Sequence, residues 1–383
     1  MHCRLVTSLA ELDAMREDWE ALLARSDSNE PTLSPLWLLA WWRIYGGEGN
    51  RALRVFAFYE GKRLVGLVPL LQRDTLYRRV LPFRRLEPLA SGEDEADETC
   101  SDYLGPIAER GREEAVAQEF VVALAKGAAG PWDEILLPSM SADSPFTPLL
   151  ARKLNAIGAK VYVQTSASCP FVPLPPTWDE YLLALSSKHR YTVRRALRDF
   201  EKEMGAPPVL DVVSRREDLE PTFDTLVELH AERWKEGHGG VFASARFSAF
   251  HRTIAPALFE RGALDLGLLR ADGRPIGAFY NFVWNGKSYF YQSGRALDVP
   301  RGVAIGIVMH ALLIRRAIER GLREYDFLAG ASRYKLDLSP AVRHLVTIRA
   351  AQPRLVEHAR RTTESAIRHV RTLRHALRTE ESI

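Results

Sequence analysis

Short apolar runs broken by glycine turns alternate along this chain with longer stretches in which apolar residues recur every three or four positions. Ala52-Leu53-Arg54-Val55-Phe56-Ala57-Phe58-Tyr59 passes through Gly61-Lys62-Arg63 into Leu64-Val65-Gly66-Leu67-Val68-Pro69-Leu70. That pattern predicts strand, tight turn, strand. It recurs far downstream, where Ala263-Leu264-Asp265-Leu266-Gly267-Leu268-Leu269 leads through Asp272-Gly273-Arg274 into Pro275-Ile276-Gly277-Ala278-Phe279-Tyr280. Each copy has a second Gly just inside its second strand and follows helical patterns. After a gap, each is succeeded by a helix and a short strand, at Trp132–Leu137 and Glu324–Leu328. Strand-turn-strand segments are common, but the shared order of elements favours two copies of one α/β unit, over 1–168 and 169–352.

Between the copies, Cys169-Pro170-Phe171-Val172-Pro173-Leu174-Pro175-Pro176 reads as an extended joint, because closely spaced prolines disfavour helix. Thr177-Trp178-Asp179-Glu180 has the capping-box spacing that opens a helix. Ser186 or Ser187 then caps a long basic helix to about Met204, stopped by Gly205 and two prolines. A helix over about Asp218–Glu236 carries Leu219, Phe223, Leu226, Val227, His230 and Trp234 on one face. Gly92–Glu98 reads as a solvated acidic loop.

Composition narrows the class. Residues are 46% hydrophobic and 26% charged, which is globular rather than disordered. The net charge of +3 is too small to indicate DNA binding by the whole molecule. Charge is uneven, however, with seven Arg against two Glu between Arg354 and Arg378. There Val356, Ala359, Thr363, Ile367, Val370, Leu373 and Leu377 approximate an apolar stripe, so 353–383 is expected to be a basic amphipathic helix. Packing on the protein or on another subunit is the default for it, with an anionic membrane surface as the alternative. Cys3, Cys100 and Cys169 have no metal-ligand spacing and imply neither zinc nor a disulfide framework. The start of the chain has no apolar signal segment, and the longest apolar stretches, Leu36–Trp42 and Val303–Ile314, are too short to span a bilayer. A cytoplasmic, metal-free protein is expected.

The sharpest local signal is Arg301-Gly302-Val303-Ala304-Ile305-Gly306, between an expected strand at Ser288–Ser293 and an apolar helix at about Val303–Arg320. Small residues let a ligand approach the backbone, and the N–H groups at a helix start bind anions such as a diphosphate. Tight packing of a glycine-rich helix start is the competing reading. In its context the segment resembles the acyl-CoA signature of the GNAT superfamily, Arg-x-x-Gly/Ala-x-Gly, with Ala304 where that superfamily usually has its first Gly. The wider pattern is similar to the CelD-like branch, acetyltransferase domain 6, which is related to Fem-type peptidyl transferases. In the first copy the resemblance is carried by Trp37–Trp42, Leu64–Leu70 and Ser101-Asp102-Tyr103. In the second it is carried by Ser187-Lys188-His189-Arg190 with Arg194-Arg195, His230 with Arg233-Trp234, Asp326-Phe327-Leu328 and Tyr334-Lys335.

The resemblance implies two tandem GNAT-like domains, each a mixed, mostly antiparallel sheet flanked by helices, the first degenerate and the second catalytic. It further implies N-acyl transfer from acetyl-CoA or a longer acyl-CoA to an amine, such as an amino sugar used in exopolysaccharide, cellulose or cell-envelope assembly. Arg301, Gly302, Ala304 and Gly306 would then hold the donor, and Tyr334 would protonate the leaving thiolate, unless it is an ordinary packed tyrosine. His230 is either a core histidine or the base. Asp326 either accepts a structural hydrogen bond or points into the site. Lys335, Arg233 and Trp234 would contact substrate. Arg190, Arg194 and Arg198 share a helix face and are either solvated or an anion-binding rim for the acceptor. Fem-type transfer from aminoacyl-tRNA and a non-catalytic scaffold are the rival functions.

Overall fold

The computed structural model describes residues 1–77, 80–233 and 240–363. Chain order in the first half is β1 (His2–Val6), α1 (Leu9–Ala14), α2 (Arg16–Ala24), α3 (Pro35–Tyr45), β2 (Ala52–Glu60), β3 (Arg63–Tyr77), β4 (Leu81–Pro88), β5 (Ile107–Ala108), α4 (Glu113–Ala125), β6 (Glu134–Ser141), α5 (Phe146–Ala156) and β7 (Lys160–Pro173). The second half continues with α6 (Trp178–Ala184), α7 (Ser187–Met204), β8 (Val209–Val212), α8 (Leu219–Arg233), α9 (Ala245–Glu260), β9 (Leu264–Ala271), β10 (Arg274–Trp284), β11 (Lys287–Arg295), α10 (Ile305–Glu319), β12 (Glu324–Asp326), α11 (Arg333–Leu338) and β13 (Ala341–Ala351). The fold is α/β, with helices packed on one large mixed sheet.

The echo in the sequence is visible as two equivalent hairpins. β2 pairs with β3 and β9 with β10, both antiparallel, and each closes through two residues from Glu60↔Arg63 and Ala271↔Arg274. Asp272 and Gly273 both have positive φ, as the tight turn requires. The second glycine of each copy does the same work. A Cβ on Gly66 would lie 2.5 Å from Val116 on α4, and one on Gly277 would lie 3.4 Å from Ile305 on α10. Each absent side chain lets the following helix settle onto its strand. β4 and β6 then pair in parallel, as β11 and β12 do.

The two halves do not close separately. Sheet order is β1-β2-β3-β4-β6-β13-β7-β12-β11-β10-β9-β8. The final strand of the chain, β13, lies against β6 of the first half, while β7 reaches β12 of the second through Phe171–Pro173. The position expected as a joint, 168/169, falls inside β7, and Pro170 gives its carbonyl to the Phe327 N–H at 3.0 Å. Loops of the first half also cover β10 and β11. Trp284 Nε1 donates to Asn29 at 2.7 Å, Lys287 pairs with Glu30 at 3.0 Å, and Tyr291 donates to the Thr99 carbonyl at 2.5 Å. Trp37 packs edge-on against Phe250 and Phe282, so one apolar core runs beneath both halves. The expected helix over 353–383 is helical at 355–363, and 364–383 lies outside the described residues.

Candidate active site

β11 and β12 stay together for only three register pairs, from Lys287↔Glu324 to Tyr289↔Asp326. β12 ends there, and Leu328, at φ +57, turns the chain away while β11 runs on to Arg295. The gap that opens is bordered by two cavities. One, of about 270 Å³, lies between the end of β11 and the start of α10, with Ala304, Gly306, Met309 and His310 in its wall. The other, of about 570 Å³, lies between β11, the 327–335 loop and the first half's 98–102 loop. Ser293 and Tyr334 belong to both walls, so the phenol stands where the cavities meet.

The smaller cavity faces the bare end of α10. Its N-cap is Ala304, which has no side-chain acceptor, so the N–H groups of the first helical turn are not capped. Their partial positive charge faces a space that suits an anion. A Cβ on Gly306 would meet nothing within 4 Å, so this glycine leaves open room beside the helix start. Gly302 has φ +102 and turns the chain into the helix. Arg301 and Gly302 are exposed and stand outside the cavity wall, unlike Ala304 and Gly306.

Tyr334 is half-buried, its ring stacked 5.4 Å from that of His310, whose Nδ1 lies 3.1 Å from the Tyr325 hydroxyl. Lys335 lines the larger cavity but spends its ammonium on the carbonyls of Phe327 and Ala329, at 2.8 and 3.1 Å. It thus pins the loop that carries Tyr334. Asp326 is fully buried and accepts hydrogen bonds from the Tyr103 hydroxyl and the Leu328 N–H, both at 2.7 Å, with Arg343 at 3.7 Å. Burial raises its carboxyl to about 6. Its partners mark it as a tie between the halves, and it is absent from both cavity walls. His230 is buried behind β11. Its Nδ1 lies 2.9 Å from the Ser293 carbonyl, which can only accept, so Nδ1 carries the hydrogen.

On α7, Arg190 bonds the Leu185 carbonyl, while Arg194 and Arg198 are exposed. That helix packs on α10, but none of the three arginines reaches either cavity wall. Arg233 ends α8 at the limit of the described residues, and Trp234 lies outside them. The structure adds residues that pattern alone did not single out, chiefly Glu98, Cys100, Ser139 and Ser293 in the wall of the larger cavity. Asp102 joins them there, and only its place in the Ser-Asp-Tyr motif had flagged it. Among the described residues no cluster of His, Cys, Asp and Glu is placed to hold a metal, and no helix is long and apolar enough to cross a membrane.

Residues 187–336 match the family described as acetyltransferase (GNAT) domain. Comparison with curated proteins gives no match. Among solved structures, a C-terminal DUF2156 domain from Agrobacterium fabrum aligns with TM-score 0.52 at 13% identity, over 94% of this chain and 97% of that one. A conserved protein of unknown function from Bacteroides thetaiotaomicron aligns with TM-score 0.53 at 13% identity, over 91% and 100%. The protein titled L-PGS from Bacillus licheniformis aligns with TM-score 0.51 at 14% identity, over 87% and 90%. At such identities the likeness is one of fold. The matched segment begins at α7, ends within α11 and contains the splayed strands, the bare helix start and Tyr334, so the site lies within the part of the chain that is similar to the acetyltransferase (GNAT) domain.

Proposed function

We propose that the chain transfers an acyl group from acetyl-CoA or a longer acyl-CoA to an amine, with an amino sugar of exopolysaccharide or cell-envelope assembly as the acceptor class. The reading is carried by the meeting of two cavities at Tyr334, one of them under the uncapped start of α10. The donor's diphosphate fits the α10 N–H groups, with Arg301 at the rim adding charge from solvent. Its thioester would extend along the edge of β11 that β12 abandons. The amine approaches from the larger cavity, its nitrogen bonds to the carbonyl carbon, and the C–S bond breaks. Tyr334 supplies the proton that the departing thiolate takes up.

Titration calorimetry with acetyl-CoA tests the donor assignment, together with Gly306→Val. The side chain of this variant enters open space, so the fold should survive. The affinity for acetyl-CoA should fall on the order of tenfold or more. Unchanged affinity in a folded variant would remove the donor from this site. Preferential binding of aminoacyl-tRNA, with no acetyl-CoA bound, would favour the Fem-type alternative, for which the exposed Arg194 and Arg198 face beside α10 is the relevant feature.

A further inference from the structure

The acyltransferase reading leaves unused a buried carboxylate in the larger cavity, that of Asp102. It comes from the first half, in a loop that crosses over to the second, and its residue is only 7% exposed. Its Oδ2 accepts the Ala329 N–H at 2.7 Å, while Oδ1 makes no hydrogen bond with the described residues. Its main chain is equally fixed, since the Asp102 carbonyl accepts the Thr32 hydroxyl at 2.7 Å.

Backbone strain concentrates around it. Cys100, Tyr103, Ser139 and Leu328 all hold positive φ without being glycine, and three of them line this cavity. Such conformations cost energy and persist where the surroundings enforce them, commonly at functional sites. The other non-glycine residues with positive φ, Asn50, Ala90, Asp272 and Asn285, lie in turns and are not in this cavity's wall.

Resting on that reading, we infer that Asp102 is the base that takes a proton from the acceptor's ammonium group, so the acceptor site is shared between the halves. The titratable groups that interact with Asp102 are Asp326, Lys335, Glu98, Cys100 and Cys169, besides the Ala329 N–H. Burial, with Asp326 adding to it, lifts the Asp102 carboxyl to about 7, against the pull of the Ala329 N–H and Lys335. A base so poised can accept an ammonium proton near neutral pH. In balance, the ammonium gives one proton to Asp102, which later releases it to water. The neutral amine attacks the thioester, the C–N bond forms, and the C–S bond breaks. The second nitrogen proton replaces the one that Tyr334 gives to the thiolate. Ser101, Ser139, Ser166, Ser293 and Gln292 line the same cavity as Asp102, a polar wall suited to a polyhydroxylated amine.

The experiment uses the full chain with acetyl-CoA and glucosamine, following thiol release from pH 6 to 9, for the wild type, Asp102→Asn and Asp102→Glu. Asp102→Asn should lose on the order of 10²–10⁴ in turnover at pH 7. The loss should shrink as rising pH deprotonates the amine directly, and Asp102→Glu should recover part of it. The affinity for acetyl-CoA should stay within about twofold. Thermal melting supplies an independent arm. A carboxyl raised from 3.8 to about 7 holds its proton more tightly in the folded chain, so its contribution to stability is present below pH 4 and is lost as pH rises through 7. Asp102→Asn should therefore melt roughly 2–4 °C higher than the wild type at pH 8.

Equal turnover in Asp102→Asn, or a lower melting temperature at pH 8, overturns the inference. Acetyl-CoA binding without acetylation of glucosamine or of any amine in a wider panel overturns the acceptor assignment. Failure of the wild type to bind acetyl-CoA overturns the donor reading instead, and the melting arm still decides whether Asp102 is held at a cost to the fold.

Discussion

Three neighbouring side chains in the 326–335 segment separate into different tasks once their partners are known. Lys335 holds loop carbonyls, Asp326 ties Tyr103 across the halves, and Tyr334 alone stands in both cavity walls. Tyr334→Phe should therefore lower turnover on the order of 10²–10⁴-fold while the affinity for acetyl-CoA measured by calorimetry stays near that of the wild type. A fully active Phe variant would reduce the residue to packing against His310. The order strand, small-residue loop, Tyr-Lys was readable without coordinates, which is why Tyr334 and Lys335 were singled out from sequence. For Asp326 the two readings were structural acceptor and site carboxylate, and its hydrogen bonds favour the first. For His230 the Nδ1 bond to the Ser293 main-chain carbonyl favours the core reading in the same way. Asp102 sits beside an acidic loop with no periodic context, so its place beside Ala329 depends on a contact between distant segments.

Helix ends were the most legible elements, because caps act within a few residues. Thr177 accepts from the Glu180 N–H and Ser186 from the His189 N–H, both at 3.2 Å, and Gly205 ends α7 at φ +70. The end of β7, Cys169–Pro173, was read as the start of a joint, and β13 was not expected. Most of Lys160–Thr165 is exposed, so a strand paired on both sides lacks the apolar run that marks one, and Pro170 and Pro173 mimic a linker. The helix starts of the two copies also differ in charge. α4 opens with Glu113 and Glu114, where α10 presents no acidic residue. Carboxylates there repel the anion that α10 is suited to hold, which fits a first half without a donor site. The two inner glycines differ in degree. Gly66→Ala would force a Cβ to 2.5 Å from Val116, so a loss of about 1–3 kcal/mol is expected in urea unfolding. Combining it with Val116→Ala should recover part of the difference, since the two residues share one contact. Gly277→Ala, whose nearest contact would be 3.3 Å, should cost less.

At the scale of the molecule, two copies of one unit are legible in sequence, but their mutual dependence is not. Each copy completes its sheet beside a strand from the other, β13 against β6 and β7 against β12. A fragment ending near Leu174 should aggregate or remain unfolded alone, whereas coexpression with the remainder of the chain should yield a soluble pair by size exclusion. A break at 174–177, just after β7, severs no strand and tests this with little other damage. Independent solubility of the first fragment would show that β13 is dispensable to it. The position of β13 also has a consequence for biosynthesis. A nascent chain emerging from the ribosome carries β6 long before its neighbour exists, and an unpaired strand edge is an invitation to wrong partners. The amino-terminal unit cannot finish folding until Ala351 has been translated, so a premature stop between β12 and the end of β13 would damage most the part of the protein that was made first.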